Sequence, residues 1–120
     1  MPRLKIVLLT PDAERFRGAL ALASAYVALG GEAGIFFQMD AAALLVNASA
    51  PRDEAHKAAG MPLLAALMGE ALDLGVTFIA CQSGLTLSAI EAATLDPRID
   101  IGGTVSFLQS VTADDRLLFV

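Results

Sequence analysis

The sequence contains a single cysteine, Cys81, and a single histidine, His56, among its 120 residues. One cysteine cannot form a disulfide within the chain, and it excludes a cysteine-rich zinc site. A lone thiol also has no resolving partner, so any sulfur exchange must involve a second molecule. His56 lies in a polar segment far from Cys81 in sequence, and Ser83 lacks the Gly-x-Ser-x-Gly context of a nucleophile elbow. We therefore interpret His56 as a solvated loop residue.

Basic residues are scarce as well. Eight Lys and Arg face thirteen Asp and Glu, which gives a net charge of −5. Phosphate binding requires clustered Lys and Arg, so nucleic acid is not an expected partner. The glycine run Gly30–Gly34 follows a predicted helix and opens a predicted strand, the reverse of a dinucleotide-binding turn. No Walker lysine motif is present, and Phe36, Phe37 and Phe78 suit a core better than a cofactor platform. We therefore expect no cofactor and no metal.

Long hydrophobic runs are also missing. The longest uncharged stretch lies between Asp73 and Glu91 and contains several polar residues, so no membrane span is expected. Pro2 and Arg3 lead directly into a strand-like run, so we expect no signal peptide and a cytoplasmic protein. The hydrophobic content is nevertheless high, at 56%. A chain this short must place the excess somewhere, which predicts a homo-oligomer, a dimer or trimer, that buries part of Phe16–Leu29 or Leu63–Leu74.

Apolar runs of strand length alternate with helical periods along the chain. This pattern predicts a single α/β domain over residues 1–120, with a mainly parallel sheet of about five strands in a three-layer α/β/α, flavodoxin-like or Rossmann-like arrangement. The predicted strands are Leu4–Leu9, Ala33–Gln38, Val76–Ala80, Ile99–Ile101 and Arg116–Val120. The predicted helices are 11–29 with Thr10 as N-cap, 41–46 with Asp40 as cap, 63–74, 83–93 and 104–111. Residues 47–60 are predicted to form a polar, mobile loop, with or without a helical turn, which is a candidate lid or interface element. The strand order stays open.

Cys81 follows the most strand-like segment and precedes a turn that opens into a helix. Ligands and chemistry usually lie at the carboxyl end of such strands. N–H groups at a helix N-terminus favour a thiolate, so Gln82, Ser83 and Gly84 are predicted to stabilise an anion on Cys81. The alternative is a cysteine that is merely packed in the core.

A second glycine pair, Gly102 and Gly103, also follows a predicted strand and precedes a helix, which permits anion binding, although a tight turn alone explains it. Asp12 and Glu14 in the first helix are candidates to face Cys81, although they also complement the helix dipole. Sequence alone leaves open whether His56 or Asp12 reaches the thiol.

Three segments resemble the DsrE/DsrF-like family of small sulfur-handling proteins, and in particular its DsrE-like, peroxiredoxin-like subgroup. The run Phe78–Gln82 matches a subgroup motif, Ile101–Val105 resembles its double-glycine segment, and Leu117–Val120 resembles its closing strand. The stretch 11–39 resembles the family's first helix and second strand more loosely. The likeness covers nearly the whole chain apart from residues 47–60.

The resemblance implies an α/β/α fold of about five mainly parallel strands, assembly into homo-oligomers, and a sulfur carrier or sulfurtransferase that forms a persulfide on Cys81. The implied partners are sulfur-donor and sulfur-acceptor proteins or low-molecular-weight persulfides. The alternative hypothesis is a non-catalytic oligomeric module that binds a small ligand or a protein and merely buries Cys81, since one α/β fold hosts many unrelated functions.

Overall fold

The computed structural model describes residues 1–46 and 50–120. Its strands are β1 (Leu4–Leu8), β2 (Ala33–Phe37), β3 (Thr77–Cys81), β4 (Asp100–Gly102) and β5 (Arg116–Phe119). Its α-helices are α1 (Ala13–Ala28), α2 (Asp53–Ala58), α3 (Leu64–Asp73), α4 (Gln82–Leu87) and α5 (Thr104–Ser110), and 3-10 helices form at Met39–Leu45 and Ala92–Thr94. Within the described ranges, no helix combines the length and apolarity needed to cross a bilayer.

All five strands pair in parallel, in the order β4-β3-β2-β1-β5. The chain therefore adds β2, β3 and β4 outward on one side of β1 and then returns to place β5 on the other side. The central strands are continuous apolar runs because a parallel sheet is covered on both faces. The predicted α/β class with a five-stranded parallel sheet is confirmed, and the strand order, which the sequence left open, follows from the pairing.

The two faces of the sheet carry cores of unequal size. Alternate strand residues such as Ile6, Ile35 and Phe78 pack with side chains from α1, α3 and α4 in the larger core. In that core Phe16 of α1 meets Phe37 edge-on, with ring centroids 5.2 Å apart. We call this side of the sheet the α1 face.

The opposite side, which we call the α5 face, has a much smaller core. It consists of Val7, Phe36, Cys81 and Phe107. Phe107 is the only buried residue of the seven-residue helix α5. A helix this short leaves much of the α5 face uncovered, so clefts remain beside it.

Two helix ends differ from their predicted positions because of local capping and backbone conformation. The sequence predicted Thr10 as the first N-cap, but α1 begins at Ala13 because the Asp12 carboxylate accepts bonds from the N–H groups of Glu14 and Arg15, at 2.8 and 3.1 Å. The helix predicted over 83–93 ends at Leu87. Ala89 takes a left-handed conformation there, with φ of 55°, which stops the helix.

The segment predicted as a polar loop, 47–60, contains the helix α2 and is anchored to the rest of the protein. The buried Arg17 guanidinium pairs with Asp53 and donates to the carbonyl of Pro62 at 2.9 Å. Asp53 also accepts from the N–H of Leu64 at 3.0 Å, so it links the start of α2 to the start of α3. Residues 47–49 of the predicted loop lie outside the described residues.

The helix after β2 also differs from its prediction. It is a 3-10 helix with Gln38 at its N-cap and no side-chain cap bond, so Asp40 is not the cap. Met39, its first residue, has a φ of 49°, a conformation that non-glycine residues rarely adopt.

Candidate functional site

Cys81 is the last residue of β3, and its backbone serves as the N-cap of α4. It therefore lies at the carboxyl edge of the parallel sheet, where the sequence placed it. The register pairs Cys81 with Gly102 at the end of β4. The carboxyl ends of these two neighbouring strands therefore bring together the first residues of α4 (Gln82, Ser83 and Gly84) and the glycine pair Gly102 and Gly103.

The Cys81 side chain points into the α5 face and is only 2% exposed. It packs in the small core with Val7, Phe36 and Phe107. The Phe107 ring stacks on Phe36 with a centroid distance of 4.6 Å and an interplanar angle of 11°. A reactant can therefore reach the thiol only if this core opens. Helix α5 contributes one buried residue, Phe107, so it has little buried surface to lose.

His56 and Asp12 are engaged elsewhere. His56 Nε2 lies 2.7 Å from a carboxylate oxygen of Glu14 on α1, and Asp12 caps the same helix. Because α1 covers the opposite face of the sheet, neither Asp12 nor Glu14 faces the Cys81 side chain. The His56–Glu14 contact instead ties α2 to α1, which is a different role from the solvated loop residue that the sequence predicted.

Gly84 is a glycine for reasons of packing. A Cβ built at this position would lie 2.7 Å from the carbonyl carbon of Met39 and closer still to its oxygen. Only glycine lets the first turn of α4 approach the strained backbone at Met39. Gly102 is also confined, since a Cβ there would meet the Ile79 side chain at 3.1 Å, whereas Gly103 has open space.

Phe107 was not predicted as a site residue, yet it packs in the small core that buries Cys81. It is an aromatic residue in a helix that follows the double glycine, but its place in that core depends on strand order. Inside α5, Ser106 Oγ accepts from the N–H of Gly103 at 3.0 Å and caps the helix start. The helix end is held differently: Arg3 and Lys5 both donate to the carbonyl of Ser110, at 3.2 and 3.1 Å.

Charges on the α5 face gather at the amino end of β1. Arg3 binds the carboxylate of Asp115 through Nε and Nη2, both at 2.9 Å. These bonds, together with one from the N–H of Thr112, lower the pKa of Asp115. The pKa of Lys5 is also lowered, but the cause differs, because burial and then the neighbouring Arg3 disfavour its charged form. The α5 face thus combines a buried thiol at one end with a partly desolvated ammonium group at the other.

The protein is thus a small α/β protein with one free thiol at the carboxyl edge of its parallel sheet. The model of the DsrE/DsrF-like family matches residues 5–120. This chain belongs to the DsrE/DsrF-like family, as its motifs suggested.

Two solved structures share the fold. The YchN protein from E. coli superimposes with a TM-score of 0.72 at 15% identity, and the match covers 100% of both chains. A conserved protein of unknown function from Bacteroides thetaiotaomicron gives a TM-score of 0.70 at 18% identity, over 98% of this chain and 94% of that one. At these identities the likeness concerns the fold. A comparison with curated protein sequences finds no significant match.

Proposed function

We propose that this protein is a sulfur carrier that forms a persulfide on Cys81. Family membership supports a sulfur-related role. The observation that carries the finer proposal is the position of the chain's one thiol at the carboxyl end of β3, where open α/β sheets hold their reacting groups. Since no second cysteine is present, the sulfur must come from and go to other molecules.

The proposed transfer needs no oxidant or reductant. The Cys81 thiolate attacks the outer sulfur of a donor persulfide, R–S–SH, so that a new S–S bond forms and the donor S–S bond breaks. The donor leaves as the thiolate R–S⁻, and Cys81 holds a persulfide. An acceptor thiolate then attacks that outer sulfur, and the Cys81 thiolate is released. Sulfur-donor and sulfur-acceptor proteins or low-molecular-weight persulfides are the partners that this chemistry requires.

We assign the stabilisation of the anion to backbone N–H groups near the thiol. The first N–H groups of a helix have no partner within the helix, and those of Gln82, Ser83 and Gly84 open α4. Gly102 and Gly103 form the neighbouring turn at the end of β4. A reducing cytoplasm suits a carrier with a single free thiol.

Cys81 is buried, so the thiol must become accessible before it can react. Phe107 lies in the small core that buries Cys81, and we propose that displacement of α5 uncovers the thiol. Within one copy of the chain, one buried side chain and a few bonds at the helix ends hold α5, so little buried surface opposes its opening.

The burial of Cys81 favours a second candidate function, a binding module in which the thiol is only a packing group. The two candidates differ in what Cys81 does when the small core opens. In a carrier the thiol reacts with a persulfide, whereas in a binding module it stays unmodified under the same conditions.

The test is intact-protein mass spectrometry after exposure to inorganic polysulfide or glutathione persulfide. The wild type should gain about 32 Da, removable by dithiothreitol, and Cys81→Ser should fold and gain nothing. Phe107→Ala should raise the rate of uptake at least about tenfold, the factor that corresponds to about 1.4 kcal/mol less opening free energy.

Gln109→Ala is the matched control, because Gln109 is exposed on the same helix, and it should leave the rate unchanged. Absence of the adduct from both the wild type and Phe107→Ala would reject the carrier function and leave the binding module. An equal uptake rate in the wild type and Phe107→Ala would reject α5 as the cover.

A further inference from the structure

A cleft of about 230 Å³ opens on the α5 face beside α5, at the amino ends of β1, β2 and β3. Its principal walls are Lys5, Gly34, Thr77, Ile79, Phe107 and Ser110. We call it the Lys5 cleft. It exists because α5 is too short to cover the whole face and because the central strand presents Gly34, which has no side chain, between Lys5 and Thr77.

The Lys5 cleft is mainly apolar, and the charged residues on its lining are Arg3, Lys5 and Glu32, with Lys5 as the candidate anchor. The Lys5 side chain is 14% exposed, and its Nζ donates to Ser110 Oγ at 2.8 Å and to the Ser110 carbonyl at 3.1 Å. An ammonium group has three donors, so one N–H remains. The nearest carboxylate, Asp115, is 3.9 Å from Nζ, which is too far for a hydrogen bond.

The surrounding charges leave the Lys5 ammonium without full compensation. Arg3 and Asp115 neutralise each other through two bonds of 2.9 Å. Glu32 also borders the cleft, but it is exposed at the mouth, where water screens its charge. Burial and then the proximity of Arg3 lower the Lys5 pKa, and Asp115 opposes this shift only in part.

The shape of the cleft suits a flat apolar body. One wall is the Phe107 ring, another is the Ile79 side chain, and the floor at Gly34 is bare backbone. The Phe107 ring centroid lies 5.6 Å from Lys5 Nζ, so an apolar group resting on that ring is within reach of the ammonium. Pockets for drug-sized ligands measure about 300–1,000 Å³, so this one fits a smaller molecule.

We propose that the Lys5 cleft binds a small monocarboxylate with a flat apolar body. The carboxylate accepts a charge-assisted hydrogen bond from the third Lys5 N–H, and the apolar body lies over Gly34 between Phe107 and Ile79. This binding needs no reaction at Cys81. It therefore goes beyond the proposed sulfur transfer and can be tested independently of it.

The experiment is an NMR titration of the full chain with sodium benzoate at constant ionic strength, followed through backbone amide shifts. Saturable shifts are expected at Gly34, Thr77 and Ser110. Benzamide, which has the same shape without the charge, should bind at least about tenfold more weakly, since hydrogen bonds to charged groups are the stronger ones.

Two variants test the anchor and the floor separately. Lys5→Met should weaken benzoate binding at least about tenfold through loss of the ammonium. Gly34→Val should abolish binding by filling the floor. Its Cβ would lie 3.4 Å from the carbonyl oxygen of Thr77, an ordinary contact, and circular dichroism should show that the variant keeps the wild-type fold. The control is Lys57→Met, which removes the only other lysine, exposed on α2, and should leave the affinity unchanged.

Three results would overturn the assignment. The first is the absence of saturable shifts at the cleft residues at tens of millimolar benzoate. The second is an unchanged benzoate affinity in Lys5→Met or equal affinity for benzamide. The third is a changed sedimentation coefficient in Gly34→Val, which would assign the cleft to a contact between copies of the chain.

Discussion

At the scale of single residues, Gly84 decides how closely α4 can approach the carboxyl end of β2. Any side chain at this position must displace the backbone of Met39, which already has a φ of 49°. We predict that Gly84→Ala lowers the free energy of unfolding by about 1–3 kcal/mol or more, as overpacking against backbone does. Urea denaturation monitored by circular dichroism measures it.

Gly18 provides the comparison for this prediction. It lies exposed in the middle of α1, with nothing within 4 Å of an added Cβ. Gly18→Ala should therefore stabilise the protein by about 0.5–1 kcal/mol, because alanine loses less backbone entropy in a helix. If both substitutions shift stability in the same direction, the close approach at Met39 does not constrain Gly84.

Asp115 provides a pH-dependent contribution to stability. Arg3 and the N–H of Thr112 lower its pKa in the folded protein below the unfolded value of about 3.9. A lowered carboxylate pKa stabilises the fold above the unfolded pKa, and the contribution disappears as the pH falls through the folded pKa. We predict that Asp115→Asn melts below the wild type at neutral pH and that this difference shrinks only below about pH 4.

Thermal melts between pH 2 and 8 measure both curves. Asp114→Asn is the control, since Asp114 is the exposed neighbour of Asp115 and should not change the melting temperature. A difference between Asp115→Asn and the wild type that stays constant down to pH 2 would contradict the assignment to the ionised carboxylate.

At the scale of elements, the sequence predicted the strands well because buried parallel strands are continuous apolar runs. β1 and β2 each end one residue earlier than predicted, and β3 is shifted by one residue at both ends. Helix ends were harder to predict, because they depend on single dihedral angles and on capping side chains. The left-handed Ala89 ends α4 early, and Asp12 takes the place of Thr10 as the N-cap of α1. The sequence allowed only a helical turn within 47–60, whereas α2 is a six-residue helix that depends on Arg17, a distant residue.

Only part of the candidate site could be predicted from the sequence. The position of Cys81 at the carboxyl edge of the sheet was predictable, since it depends only on the local sequence pattern. The small core around Cys81 could not be predicted, because Phe107 joins that core only when β5 returns to the far side of β1 and α5 crosses the face between β4 and β5. The Lys5 cleft depends on that same crossover and was equally hidden.

At the scale of the whole molecule, apolar side chains remain exposed on the segments where the sequence predicted a subunit contact, as at Leu22 of α1 and at Leu29, which directly follows α1. A second apolar surface lies on α5 and β5. Val105 is 72% exposed and Phe119 64%, and Leu108 and Phe119 border one groove. Exposed apolar surface of this kind marks interaction sites, so the composition that predicted an oligomer now has two candidate surfaces.

We predict a dimer or trimer at micromolar concentration, held by the surface of α5 and β5, because its three exposed apolar side chains lie on adjacent elements. Sedimentation velocity should show the oligomer for the wild type, since a hydrophobic interface persists on dilution. Leu108→Asp should dissociate it, because a charge buried in such an interface costs several kcal/mol without a partner. Leu22→Asp is the matched substitution on α1 and should leave the oligomer intact. Dissociation by Leu22→Asp alone would move the contact to α1, and a monomeric wild type would reject assembly altogether.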